Sequence, residues 1–345
     1  VSDWSSDVCS SDLVMVVLMG FSRSAEELVL IRLVQGLVTG VVSAASSLVA
    51  ASVPRERLGF AMGLMQTGQW AGISVGPIVG GFLEYLVGVR TSFFVTGALL
   101  AAGGVLVIFG VQEEFTPPAR KSRLVSGMFA QWRAVLRAPG VPLAYLLRFT
   151  AWLGRTMIMP YLPLFIATLT LRDEFTSIYT GVAIGAASFA GTISGVALGR
   201  LGDRVGHKRV LVASAVATAM FYAPMSLVTG VWQLVVLNVV VGFAVGGVLP
   251  AISAMLARFT DPAVAGSVYG LDNSVGAASR AVAPLLAGAV ITVGAAPDAP
   301  DYRALFVVTA ALFAATAALA AWRLPPDEHA AAAEAPFEEG VQPAR

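Results

Sequence analysis

The sequence predicts an all-α polytopic membrane protein, and three observations predict it. Hydrophobic residues make up 57% of the 345-residue chain and charged residues only 12%, about half the charge of an ordinary soluble domain. Nine apolar stretches reach the roughly 20 residues that a helix needs to cross a hydrocarbon core of about 30 Å. The later part of the chain also repeats the earlier part, segment by segment. Charge this sparse cannot coat a soluble surface, and a net charge of +1 leaves no basic footprint for nucleic acid. A soluble enzyme, a disordered protein and a nucleic-acid-binding module are therefore excluded. One cysteine (Cys9) and two histidines (His207 and His329) offer neither a disulfide framework nor a cysteine metal cluster. No metal and no cofactor are expected. Glycine (35) and proline (18) are plentiful, as in membrane helices that pack closely and bend.

The elements follow in order. Residues 1–12, VSDWSSDVCSSD, are Ser/Asp-rich and resemble the translation of a common sequencing-adapter oligonucleotide. They are set aside as non-native. Leu13 to Gly20 is apolar but short, and reads as the end of a helix. The nine spans are approximately 28–50, 58–83, 92–111, 141–170, 177–198, 210–228, 233–256, 266–294 and 304–322. Residues 113–140 form the longest polar break, with Pro117, Pro118, Arg120, Lys121 and Arg123. The tail from about 324 to 345 is Ala/Glu/Pro-rich, a composition that favours disorder.

Positive charge alternates across the loops. One set of loops and the tail hold Arg55, Arg57, Arg120, Lys121, Arg123, Arg133, Arg137, Arg200, Arg204, Lys208, Arg209, Arg258, Arg323 and Arg345. The other set holds Arg23, Arg90, Arg172 and Arg303. The positive-inside rule puts the first set, with the long central loop and the tail, in the cytoplasm.

The repeat is visible in three segments. LVLIRLVQGLVTG around Arg32 matches LVVLNVVVGFAVG, aligning Gly36 and Gly40 with Gly242 and Gly246. Gly63, Leu64, Pro77 and Gly81 match Gly270, Leu271, Pro284 and Gly288. RTSFFVTGALL from Arg90 matches RALFVVTAALF from Arg303. The second copy, from about residue 141, has six spans. A first copy of equal length would begin before Val1, with roughly two and a half further helices. The organisation predicted is residues 13–112 as an incomplete first bundle, 113–140 as a cytoplasmic linker and 141–323 as the second bundle. On this count the stub ends transmembrane segment 3 and the last span is segment 12.

Three motifs carry chemistry. Gly199 to Arg209 reads GRLGDRVGHKR. Its glycines, Gly199 and Gly206, permit a tight turn and close helix approach. Asp203 with Arg204, Lys208 and Arg209 can pair with one another and with helix ends. The stretch GLMQTGQWAGISVGPIVGG places Gly63, Gly72, Gly76, Gly80 and Gly81 near helical spacing around Pro77. The glycines smooth a packing face and Pro77 permits a bend. Arg32 lies in RLVQG near the start of segment 4, where a charge faces a cavity or snorkels to the surface. In this order the motifs resemble those of the major facilitator superfamily, in its twelve-helix drug:proton antiporter branch. The resemblance covers residues 13 to about 323. It implies two six-helix repeats and alternating access, a latch at the Gly199–Arg209 loop, an export-associated motif on segment 5 and a role for Arg32 in proton coupling.

Asp272, on segment 11, is the acidic residue that stands well within a span. It reads either as a protonation switch or as a carboxylate solvated or paired for structure near the cytoplasmic end. Arg280 lies two turns beyond it and can face the same cavity. Arg148, near the start of segment 7, reads as interfacial. Substrate-contacting candidates are Gln66, Gln69 and Trp70 on segment 5, Trp152, Met157, Met159 and Tyr161 on segment 7, and Asn273 on segment 11. Aromatic and Met side chains suit a loose apolar pocket, and each also suits plain helix packing. Gly72, Ser74 and Gly76 match the G-x-S-x-G nucleophile elbow, but inside an apolar helix with no histidine nearby, so catalysis is not expected. The function expected is export of drugs or other small amphipathic molecules in exchange for protons. It would be carried out by a multi-pass, monomeric protein of a bacterial inner membrane. A carrier for a sugar or other metabolite is the alternative.

Overall fold

The computed structural model describes residues 3–38, 49, 58–110, 132–133, 135–138, 140–170, 173–260, 265–293 and 300–324. Among them the regular elements are helices: α1 (Asp3–Phe21), α2 (Ala25–Val38), α3 (Leu58–Gly110), α4 (Val141–Ile158), α5 (Leu162–Leu169), a 3-10 turn (Asp173–Phe175), α6 (Thr176–Val205), α7 (His207–Met225), α8 (Val231–Val245), α9 (Val248–Phe259), α10 (Ala265–Thr292) and α11 (Tyr302–Arg323). Five stretches are long and apolar enough to cross a membrane: Thr67–Leu106, Thr176–Val205, Val231–Phe259, Gly270–Thr292 and Tyr302–Arg323. Large apolar side chains stand outward on them, including Phe189, Trp232, Leu285 and Trp322. In water such a surface would drive aggregation; in lipid it is the outer wall.

Several boundaries differ from those expected. The spans at 58–83 and 92–111 are two helices that meet directly at a kink at Gly88, whose φ of 80° and ψ of 164° belong to glycine. No loop of the expected length separates them. The span at 141–170 is two helices, because the break falls at Met159–Tyr161, where Pro160 has no N–H to donate, although Met159 itself keeps helical φ/ψ of −52° and −48°. The span at 233–256 is likewise α8 and α9, parted at Gly246–Gly247. Of the span at 28–50, α2 covers the part up to Val38. The central linker for the most part, the tail, and the cations Arg55, Arg57, Arg120, Lys121 and Arg123 lie outside the described residues.

Local chemistry fixes the ends of the helices. Ser24 accepts from the Glu27 N–H at 3.3 Å and Glu27 accepts from the Arg23 N–H at 2.7 Å, a reciprocal cap at the start of α2. The Glu26 carboxyl is held below its ordinary value by its own backbone N–H and by Ser24. Asp301 accepts from the Arg303 and Ala304 N–H groups and caps α11. The Arg303 guanidinium donates to the carbonyls of Ser226 and Val228, both at 3.2 Å, fastening α11 to the end of α7.

The chain divides into two compact units: residues 1–122 with 172–185, and residues 123–171 with 186–345. In the first, α1 packs along α3. Phe21 meets Phe94 edge-on at 5.0 Å, and Gly20 leaves room for the Phe94 ring. In the second, α7 and α4 pack on α11 around Phe306 and Phe313, both fully buried. Phe165 meets Phe306 at 5.1 Å and Tyr222 stacks on Phe313 at 5.9 Å. Aromatic pairs of this geometry add about 0.5–1.5 kcal/mol beyond the area they bury.

Candidate functional site

The site is built on two helices of the second unit, α4 and α10. Their contacts advance in step. The Tyr145 hydroxyl donates to the Val268 carbonyl at 2.9 Å. Arg148 Nη2 donates to Asp272 Oδ2 at 2.5 Å. Trp152 lies beside Gly276, where an added Cβ would stand 3.7 Å from the indole nitrogen. The Tyr161 hydroxyl donates to the Pro284 carbonyl at 3.2 Å. Residue numbers rise together on both sides, so the helices run parallel along one seam.

Asp272 and Arg148 are therefore the centre of the site. Their side chains are 14% and 12% exposed, and each lies about two turns, roughly 10 Å, inside the start of its helix. Arg148 does not snorkel to the surface, as its position alone suggests. Its second nitrogen, Nη1, donates to Ser253 Oγ at 2.7 Å and to the Leu249 carbonyl at 3.4 Å on α9. Two atoms remain without hydrogen bonds, Arg148 Nε and Asp272 Oδ1. A pair kept from water gains strongly from its mutual attraction and pays heavily in desolvation. Removing either charge strands the other. Chemically, the carboxylate can take a proton at Oδ1. The guanidinium then keeps its α9 partners while its hold on α10 weakens.

Arg280 does not share this contact. It is stacked over the Trp152 ring with Cζ 5.1 Å from the centroid, and Arg155 approaches the same ring at 6.0 Å. Asn273 is exposed on α10 and Met157 is buried in α4. Sequence reasoning missed the Arg148–Asp272 pair, because 124 positions separate the two residues and no local pattern links them.

In the first unit Arg32 is exposed, and its Nη1 donates to Gln35 Oε1 at 3.0 Å. Gln35 Nε2 in turn donates to Asp12 Oδ1 at 3.1 Å. R-x-x-Q therefore places Arg and Gln on one helix face, as i,i+3 spacing dictates. In the second copy Asn238 is buried and donates to the Leu234 carbonyl at 3.1 Å.

The glycines of the segment 5 motif divide between two faces of α3. A Cβ at Gly81 would strike the Ser177 carbonyl, and one at Gly181 would strike the Pro77 carbonyl. Gly185 is similarly closed by Ile78 and by the Ser74 carbonyl. This seam of Ser74, Pro77, Ile78 and Gly81 against α6 brings backbones into direct contact. Among the described residues nothing lies within 4 Å of a Cβ placed at Gly72, Gly76 or Gly80. Gln69 and Trp70 are half-buried. The surroundings of Gly63 and Gln66 lie outside the described residues.

The loop motif is a one-residue turn between α6 and α7. Gly206, at φ 101° and ψ 137°, is in backbone that favours glycine. Gly199, expected to allow close approach, faces open space; the closely approached glycine is Gly202, next to the buried His207 ring. Asp203 Oδ1 lies 3.3 Å from His207 Nε2, and Lys208 Nζ donates to the Leu324 carbonyl at 2.6 Å beyond the end of α11. Arg204 closes the last turn of α6, and Arg209 follows in the first turn of α7.

Apolar helices of spanning length, with an ion pair at depth and glycine-lined seams between them, define a multi-pass membrane carrier. The model of the Major Facilitator Superfamily matches residues 13–171 and 144–345, and the chain belongs to this family. It is 30% identical over 312 residues to the multidrug resistance protein MdtG of Serratia proteamaculans, covering 90% of this chain and 74% of that protein. It is 30% identical over 319 residues to MdtG of a Rahnella species, covering 92% and 75%. MdtG of Salmonella heidelberg is 28% identical over 298 residues, covering 86% and 72%.

Proposed function

We propose that the protein exports drugs or other small amphipathic molecules in exchange for protons, by alternating access. The observation that carries this reading is the Arg148–Asp272 pair, an ionisable couple at membrane depth tied to α9 through Ser253. Intramembrane ionisable residues are costly and mark ion and substrate pathways. Likeness to proteins named for multidrug resistance supports drugs as the cargo.

In this scheme a proton arriving on Asp272 Oδ1 neutralises the carboxylate and frees α10 from α4, while Arg148 stays with Ser253 and Leu249. Loss of that proton on the opposite side restores the pair. Substrate occupies the carrier in one state and a proton in the other, so the gradient drives export. Each charge moved contributes about 2.3 kcal/mol per 100 mV. Arg32 with Gln35 serves as a second coupling group. The Gly81–Ser177 seam and the Gly199–Arg209 loop hold the closed state. Gln66, Gln69, Trp70, Trp152, Tyr161, Asn273 and Arg280 contact the cargo. The protein is a monomer of a bacterial inner membrane, with its long central loop and carboxyl tail in the cytoplasm.

The test is flux in proteoliposomes carrying an imposed pH gradient and a fluorescent drug. Gradient-driven movement that a protonophore abolishes supports antiport, and Asp272→Asn lowers that movement at least tenfold. Drug movement indifferent to the gradient, or protonophore-sensitive uptake of one defined sugar or metabolite, overturns it.

A further inference from the structure

Two layers of charge lie along the α4–α10 seam, and they are not balanced alike. The inner layer, Arg148 with Asp272, is neutral. About two turns further on, roughly 10–12 Å along both helices, Arg155 and Arg280 both approach the Trp152 ring, their Cζ atoms 6.0 and 5.1 Å from its centroid. Among the described residues neither guanidinium makes an ion pair. Asp272, the carboxylate of this seam, is taken by Arg148. Two positive charges at this depth, with no counter-charge, are costly in lipid surroundings.

The arrangement is also held in place. A Cβ at Gly276 would stand 3.3 Å from Arg280 Nη1 and 3.7 Å from the Trp152 indole nitrogen, so the glycine leaves the space in which the guanidinium reaches the ring. Arg280 itself is exposed, with donors to spare. Guanidinium groups bind carboxylates, sulfonates and phosphates through paired N–H donors, and an indole face offers apolar contact beside them.

We propose that Arg155, Arg280 and Trp152 form a binding site for amphipathic organic anions, the two guanidinium groups holding the acidic group and Trp152 the apolar body. The proposal deepens the transport reading by naming a class of cargo, and it rests on that reading for its role in export. Binding itself can be measured without transport.

The experiment is equilibrium fluorescence binding to the full chain in nanodiscs, with no proton gradient. The probes are 8-anilinonaphthalene-1-sulfonate and its uncharged relative N-phenyl-1-naphthylamine, each corrected for empty nanodiscs. The wild type is expected to bind the sulfonate at least tenfold more tightly than the amine. Arg155→Gln and Arg280→Gln each remove most of that preference, and an unchanged helical circular-dichroism spectrum reports an intact fold. Arg280→Lys keeps a substantial part of it. Equal affinity of the wild type for both probes overturns the proposal, as does a preference that survives both Gln variants. Because no gradient is applied, failure of proton-driven flux leaves this result unaffected. A wild type with no preference beside intact flux sinks the anion site alone.

Discussion

Asp272 and Arg148 illustrate what a single buried charge costs. Each holds the other at 2.5 Å with little exposure to water, and each retains one polar atom without a hydrogen bond. Arg148→Gln or Asp272→Asn alone leaves an uncompensated charge, a loss of about 3–5 kcal/mol by analogy with other buried pairs. The double variant removes both charges and is expected to be more stable than the Arg148→Gln single variant. A double-mutant cycle on thermal unfolding in detergent checks this; strictly additive losses would show that the two residues are not coupled. Gly206 poses a simpler backbone problem. At φ 101° an alanine would be strained by about 1–3 kcal/mol, so Gly206→Ala should lower the unfolding midpoint. Gly199→Ala, facing open space, should not.

At the scale of elements, α3 meets α6 through Ser74, Pro77, Ile78 and Gly81, not through the Gly72–Gly76–Gly80 row. Gly81→Leu and Gly185→Leu are therefore expected to cut transport and stability together, whereas Gly72→Ala leaves the unfolding midpoint unchanged. Equal sensitivity at Gly72 and Gly81 would refute this division. Much of the element plan was legible in the sequence, because hydrophobic length alone identifies a span. Its breaks were legible too, but were not weighed. Pro160 stands at the α4–α5 junction, and the Gly246–Gly247 pair parts α8 from α9. The joining of two spans at Gly88 was less visible, since one positive φ replaced an entire loop. The glycine faces were out of reach, because a motif gives spacing and not the identity of the neighbouring helix. The Arg148–Asp272 pair was hidden for the same reason: its register is set by Tyr145, Trp152 and Tyr161 packing against residues more than a hundred positions away.

At the scale of the whole molecule, charge distribution decides orientation. The positive-inside rule predicts that the basic loops at 113–140 and 199–209 share one side. Single cysteines introduced at Ser122 and at the exposed Arg204 in a Cys9→Ser background should both be shielded in intact cells. They should both react with an impermeant maleimide in everted vesicles. Labelling on opposite sides would overturn the assigned topology. The parallel seam of α4 and α10 also acts as a built-in ruler for motion. Its two ends, Tyr145 beside Val268 and Trp152 beside Gly276, lie at different depths on the same two rods. Because the sequence has a single cysteine, Cys9, thiol cross-linkers placed at each end in a Cys9→Ser background would read the two spacings separately. A sliding of one rod past the other would offset both pairs at once, by about 5.4 Å along the axis for each helical turn. A rocking motion would open one end and leave the other closed, so the type of movement can be read from two cross-linking yields.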